Sequence, residues 1–227
     1  MDMKKIFAIL TLAAVLAFQA NAQKEDRDWA NFSRYKQANT EVTVHPTVVL
    51  MGDSITQGWV EKDPEFFTDG VVLGRGISGQ VTSHMLVRFR RDVLDFHPKY
   101  VAILAGINDI ARNNGKIDKE NILGNIISMV EVAKANKVKP AVCSILPCSL
   151  IGWRKELGNP TEEILWINGK LQEYAREHHI IYVDYYSAMA LPEGGLPAEY
   201  SKDGVHPTKE GYKVMEDVLV RTLKIRK

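Results

Sequence analysis

Two short blocks far apart in the chain, Gly52-Asp53-Ser54 and Asp203-Gly204-Val205-His206-Pro207, together hold a serine, an acid and a histidine. A serine hydroxyl attacks a carbonyl carbon only when a base removes its proton, and that base needs a carboxylate to orient it. His206 and Asp203 suit those two parts: their spacing lets one turn present the carboxylate to Nδ1 and leave Nε2 for Ser54. Two further blocks suit the negative charge that builds on the carbonyl oxygen during acyl transfer. Gly76-Ile77-Ser78-Gly79 reads as a strand exit that opens a helix, where backbone N–H groups lack partners. Gly106-Ile107-Asn108-Asp109 offers the side-chain amide of Asn108 as a donor. Taken singly, each block is also ordinary turn chemistry.

These residues need elements to bring them together. Short β-branched runs alternate with longer amphipathic ones, and the strands read as 48–51, 71–73, 100–105, 140–145 and 180–184. Helical patterns cover 81–96, 119–136, 161–178 and about 208–224, with Asp118 capping the second and Asn159-Pro160 opening the third. Trp29, Phe32 and Tyr35 stand at helical spacing in a polar N-terminal stretch. Continuous apolar strands separated by helices predict a three-layer α/β/α sandwich around a five-stranded parallel sheet. In such a sheet ligands bind at the C-terminal ends of strands, where Ser54, Gly79 and Asn108 all fall. The long irregular stretches 146–159 and 191–206 follow strands and belong on the same rim.

Composition narrows the function classes. Lys4 and Lys5, the apolar run 6–18 and Ala20-Asn21-Ala22 form the pattern of a signal peptide, 1–22, cleaved near Ala22. The expectation is an exported protein, periplasmic or secreted, with one domain over 23–227 and no membrane-spanning segment. No cysteine stands at the cleavage point, so no lipid anchor is expected there. The chain has 29 Lys+Arg against 28 Asp+Glu, and loss of Asp2, Lys4 and Lys5 leaves it formally neutral, which argues against nucleic acid as a partner. Cys143 and Cys148 are close in sequence but read as unpaired thiols, because an extended strand carries their sulfurs apart.

In their order and placement the four blocks resemble the SGNH, or GDSL, hydrolase superfamily over about 48–212, and within it the bacterial relatives of platelet-activating-factor acetylhydrolase catalytic subunits. The first block reads Gly-Asp-Ser-Ile where that family has Gly-Asp-Ser-Leu, which keeps an apolar residue. The resemblance implies a flavodoxin-like fold, Ser54 as nucleophile, His206 as base and Asp203 as its orienting acid. It further implies an oxyanion hole of the Ser54 N–H, the Gly79 N–H and the Asn108 amide, with no metal and no organic cofactor. Asp53 and Asp109 read as acceptors that fix their loops.

The expected activity is carboxylic-ester hydrolysis of small acyl groups, acetyl foremost, on a carbohydrate or small-molecule ester. Hydrolysis of lysophospholipid acyl chains is the alternative within enzymes, and a glycan-binding protein without turnover is the alternative outside them. Trp59 and Trp153 are candidate walls for a sugar ring, or else buttresses of their own loops. His84, His97, His178 and His179 lack the paired spacing of a zinc site. Arg88, Arg90 and Arg91 read as a solvated basic face.

Overall fold

The computed structural model describes residues 28–225, so the signal-peptide reading of 1–22 lies outside the described residues. Five strands form one sheet: β1 (Val48–Gly52), β2 (Val72–Gly76), β3 (Tyr100–Leu104), β4 (Lys139–Cys143) and β5 (Ile181–Val183). All neighbouring pairs are parallel and the order is β2-β1-β3-β4-β5. Every residue of β1 and β3 is buried, which explains why both read as unbroken apolar runs and not as alternating ones. This is the flavodoxin-like order, with its topological switch between β1 and β3.

The helices are α1 (Lys36–Thr40), α2 (Ser54–Lys62), α3 (Thr82–Asp92), α4 (Ile107–Ile110), α5 (Lys119–Ala135), α6 (Thr161–Glu177), α7 (Tyr185–Met189) and α8 (Lys209–Leu223). α3, α5 and α6 pack side by side, while α8 touches both α2 and α7, giving a helical layer on each side of the sheet. One hydrophobic cluster contains residues of all five strands and of the long helices. Along α5 it takes in Ile122, Ile126, Met129, Val130 and Ala133, the stripe that a 3.6-residue period prescribes.

The departures from expectation have local causes. The helix read over 81–96 stops at Asp92, and a 3-10 turn over Leu94–Phe96 follows. Leu94 and Phe96, two apart, would point to opposite sides of a continued helix, whereas the turn buries both. Trp29, Phe32 and Tyr35 do not share a helix: turns occupy 29–30 and 32–35, Asn31 between them has φ +53°, and Trp29 and Phe32 are exposed. Asp118 holds the N-cap position of α5 without a side-chain capping bond. Asn159 is not the cap of the next helix: Pro160 holds the N-cap position and α6 begins at Thr161, while Asn159, one residue earlier, accepts from Thr161 N through its Oδ1 at 2.9 Å.

Candidate active site

Ser54 sits at the first position of α2, immediately beyond β1. Asp53 caps that helix, its Oδ1 accepting from Ile55 N at 2.9 Å. The first turn is pressed against the end of β2, where a Cβ on Gly76 would lie 2.3 Å from Gln57 N and 2.5 Å from Asp53 O. Only glycine allows that approach, and it fixes where Ser54 stands.

The histidine block folds around a single carboxylate. Asp203 Oδ1 accepts from Val205 N at 2.9 Å and His206 N at 2.8 Å, and Gly204 takes φ +80° to make the turn possible. Asp203 Oδ2 lies 2.7 Å from His206 Nδ1, and His206 Nε2 lies 2.9 Å from Ser54 Oγ. Partial burial opposes ionisation of Asp203, but donation from the His206 amide, the His206 ring and the Val205 amide outweighs it and holds the carboxyl well below its usual range. An ionised carboxylate has no hydrogen to give, so the ring proton resides on Nδ1 and Nε2 turns a lone pair to Ser54 Oγ. Two bonds to α2 anchor this block: Lys62 Nζ donates to Pro207 O at 2.7 Å and Tyr212 Oη to Ile55 O at 2.8 Å.

Gly79, beyond the end of β2, adopts φ +76° with nothing within 4 Å of the position a Cβ would take. It lies in a turn three residues before α3 and does not itself open the helix. Asn108, 2% exposed, follows β3 across the switch crevice, and its Nδ2 donates to Gln80 O at 3.1 Å. The two adjacent acids are structural. Asp109 accepts from the Thr82 amide (3.2 and 2.9 Å to its two oxygens) and from Thr82 Oγ1 (2.7 Å). Burial pushes both Asp53 and Asp109 up to about 6.

A family sequence model described as GDSL-like lipase/acylhydrolase matches residues 50–214, a span that contains every one of these groups. The chain belongs to that family. A candidate acylhydrolase of Bacteroides fragilis shares the fold at TM-score 0.84 and 43% identity, over 88% of this chain and 98% of that one. A GDSL-like lipase of Bacteroides thetaiotaomicron gives TM-score 0.83 and 40% identity, over 87% and 98%. The lipoprotein YqeF of Bacillus subtilis, itself uncharacterized, is 29% identical over 70% of this chain, and the match spans 63% of that protein's length.

Within this member of the GDSL family the tryptophans part company. Trp59 is 2% exposed and stacked between Phe66 and Tyr212, with centroids 5.2 and 5.6 Å away, so it is a buttress and offers no sugar wall. Trp153 is 44% exposed, and its ring stacks on that of His206 at 5.9 Å and 29°. Arg88 is likewise no surface residue. It is fully buried and donates to Gln80 Oε1 at 2.6 Å and, at 2.9 Å each, to Arg75 O, Asp92 Oδ2 and Gly52 O, tying together the ends of β1 and β2. A charge run on an amphipathic helix does not disclose such an inward arginine. Arg90 and Arg91 are exposed, as expected. Cys143 and Cys148 are unpaired and buried, and burial pushes their thiols up to about 12 and about 11.

Proposed function

We propose that this protein is a serine esterase that removes small acyl groups, acetyl foremost, from carbohydrate or small-molecule esters. The observation that carries the reading is the unbroken chain from Ser54 Oγ to His206 Nε2 and from His206 Nδ1 to Asp203 Oδ2. His206 takes the Ser54 proton as Oγ bonds to the ester carbon, and the ester oxygen becomes an oxyanion. The Ser54 N–H, the Gly79 N–H and the Asn108 amide are the donors that receive it. Asp203 stabilises the imidazolium, which then protonates the departing alcohol. A water activated by His206 hydrolyses the acyl-enzyme by the same steps, releasing the acid and restoring Ser54.

The size of the acyl group is read from a cavity lined by Ile55, Ile107, Ile145, Leu146, Pro147, Cys148 and Val205. Three of these residues directly adjoin Ser54, Asn108 and His206 in the chain. The cavity is small and apolar, which favours a short acyl group over a long chain. The leader-like residues 1–22 support export, and among the described residues no helix is long and apolar enough to cross a membrane.

A fluorophosphonate probe and an acyl-length series test the reading. The native protein is expected to be labelled and Ser54→Ala not. Turnover of aryl esters is expected to peak at acetyl, and a rise toward long chains would instead support lysophospholipid hydrolysis. A native protein that neither labels nor turns over acetylated glycans, yet binds them, would be a glycan-binding relative.

A further inference from the structure

The orientation of the Asn108 amide is not left to that residue. Its side chain is nearly symmetric in shape, so a half-turn would put Oδ1 where Nδ2 stands and point a lone pair at the oxyanion. Asn108 Oδ1 accepts from Asn113 Nδ2 at 2.6 Å. Asn113 has the same ambiguity, and it is resolved by Trp153, whose Nε1–H donates to Asn113 Oδ1 at 3.0 Å. An indole N–H only donates, so the Asn113 oxygen faces it, the Asn113 amide group faces Asn108, and Asn108 must answer with its own oxygen. Asn108 Nδ2 then spends one hydrogen on Gln80 O and has a second to offer. A concerted flip of both amides would keep their mutual bond but set Asn108 Oδ1 against Gln80 O at one end and Asn113 Nδ2 against the Trp153 N–H at the other, so the indole adds a second lock to the one the carbonyl provides. Both segments are held in place: Asn113 N donates to Asn108 O at 3.0 Å, and Arg154 Nη1, beside the indole, donates to Ala111 O at 2.7 Å and Arg112 O at 3.2 Å.

We propose that Trp153 and Asn113 are positioning residues for the oxyanion donor, the indole N–H setting the Asn113 amide and Asn113 setting Asn108. The proposal rests on Asn108 being that donor. It gives the loop after β4 a part in rate as well as in substrate contact, because the ring that stacks on His206 also locks the group on the far side of the reacting carbonyl.

The test is a double-mutant cycle on an aryl acetate, which is too small to depend on a sugar wall. Asn113→Asp still accepts from Trp153 but places a carboxylate oxygen against Asn108 Oδ1, drawing the amide the wrong way round. It is expected to lower kcat about tenfold with KM changed less than about twofold, a fraction of the 10²–10³ that losing a whole donor costs. Trp153→Phe keeps a ring over His206 without the N–H and is expected to lower kcat by about threefold, the lock being weakened and not inverted. In an Asn108→Ala background neither substitution is expected to lower kcat further. Repetition of either loss in full in that background overturns the proposal, as does an unchanged kcat in Asn113→Asp. If Asn108→Ala itself turns over like the native protein, the oxyanion assignment fails, and the proposal with it.

Discussion

His206 and Asp203, the proposed base and its orienting acid, stand in different surroundings, and their removal is expected to have different consequences. His206 is the only group within hydrogen-bond reach of Ser54 Oγ among the described side chains, so His206→Ala leaves the hydroxyl without a base. The Asp203 side chain is 53% exposed, and water can partly replace it against Nδ1. We expect kcat to fall by about 10⁶ in His206→Ala and by about 10⁴ in Asp203→Ala, measured on an aryl acetate. Equal losses would mean that Asp203 does more than orient. Asp53 makes a different prediction, one of stability. Its carboxyl is fully buried, Oδ2 has no hydrogen-bond partner among the described residues, and burial raises it from 3.8 to about 6, with the Ile55 amide and His206 opposing the shift and Asp109 adding to it. A folded-state value above the unfolded one means that the folded protein binds more protons between the two. The site is therefore destabilising at neutral pH, by roughly 3 kcal/mol, and this is relieved as pH falls through about 6 toward 3.8. Asp53→Asn, which keeps the acceptor for Ile55 N, is expected to raise Tm at pH 7, with a gain that shrinks toward pH 4. Melting curves showing a constant gain over that range would contradict the assignment.

Among the elements, two glycines separate position from conformation. Gly76→Ala would drive a methyl into the backbone of Gln57 and Asp53, which cannot yield without moving the turn that carries Ser54. We expect several kcal/mol of lost stability together with lost turnover. Gly79→Ala meets no atom but must hold φ +76°, so its expected stability cost is only about 1–2 kcal/mol, with kcat falling more than Tm implies if the proposed oxyanion N–H is displaced. Denaturant melts and kcat on the same samples check both. These elements also show what a sequence discloses. Strands whose residues are all buried and helices of fifteen residues or more, such as α5, α6 and α8, declare themselves by period. α4 and α7, of four and five residues, are too short to show one. That Ser54, Asp203 and His206 would meet was legible because a serine, an acid and a histidine placed just past strand ends or before the last helix suit one proton relay, and the structure brings these three together. Arg88 and Asn113 were not, because their partners are brought near only by folding: Arg88 bonds to Gly52 across 36 residues, and Asn113 to Trp153 across 40.

At the scale of the whole molecule, the site draws on both ends of the described chain. The switch between β1 and β3 lies between Ser54 and Asn108, and the C-terminal block brings His206 to Ser54 from α8's side. The N-terminal stretch closes the opposite edge. Tyr35 Oη bonds to Gly76 O, Asn39 Oδ1 accepts from Arg75 Nε at 2.9 Å, and Ala30 O accepts from Gln80 Nε2 at 2.7 Å. Gln80 is the residue whose carbonyl holds Asn108 and whose Oε1 receives Arg88. The segment before β1 thus fastens the loop that carries Gly79, although it contributes nothing to the sheet. A chain beginning at Val42 is expected to fold, since its core is intact, but to melt lower and turn over more slowly than the full protein. Gln80→Ala in the full chain is expected to reproduce part of the kcat loss and to add little to it in the shortened chain. If shortening lowers Tm alone and leaves kcat untouched, the segment is a cover for the β2 edge and has no hold on the oxyanion loop.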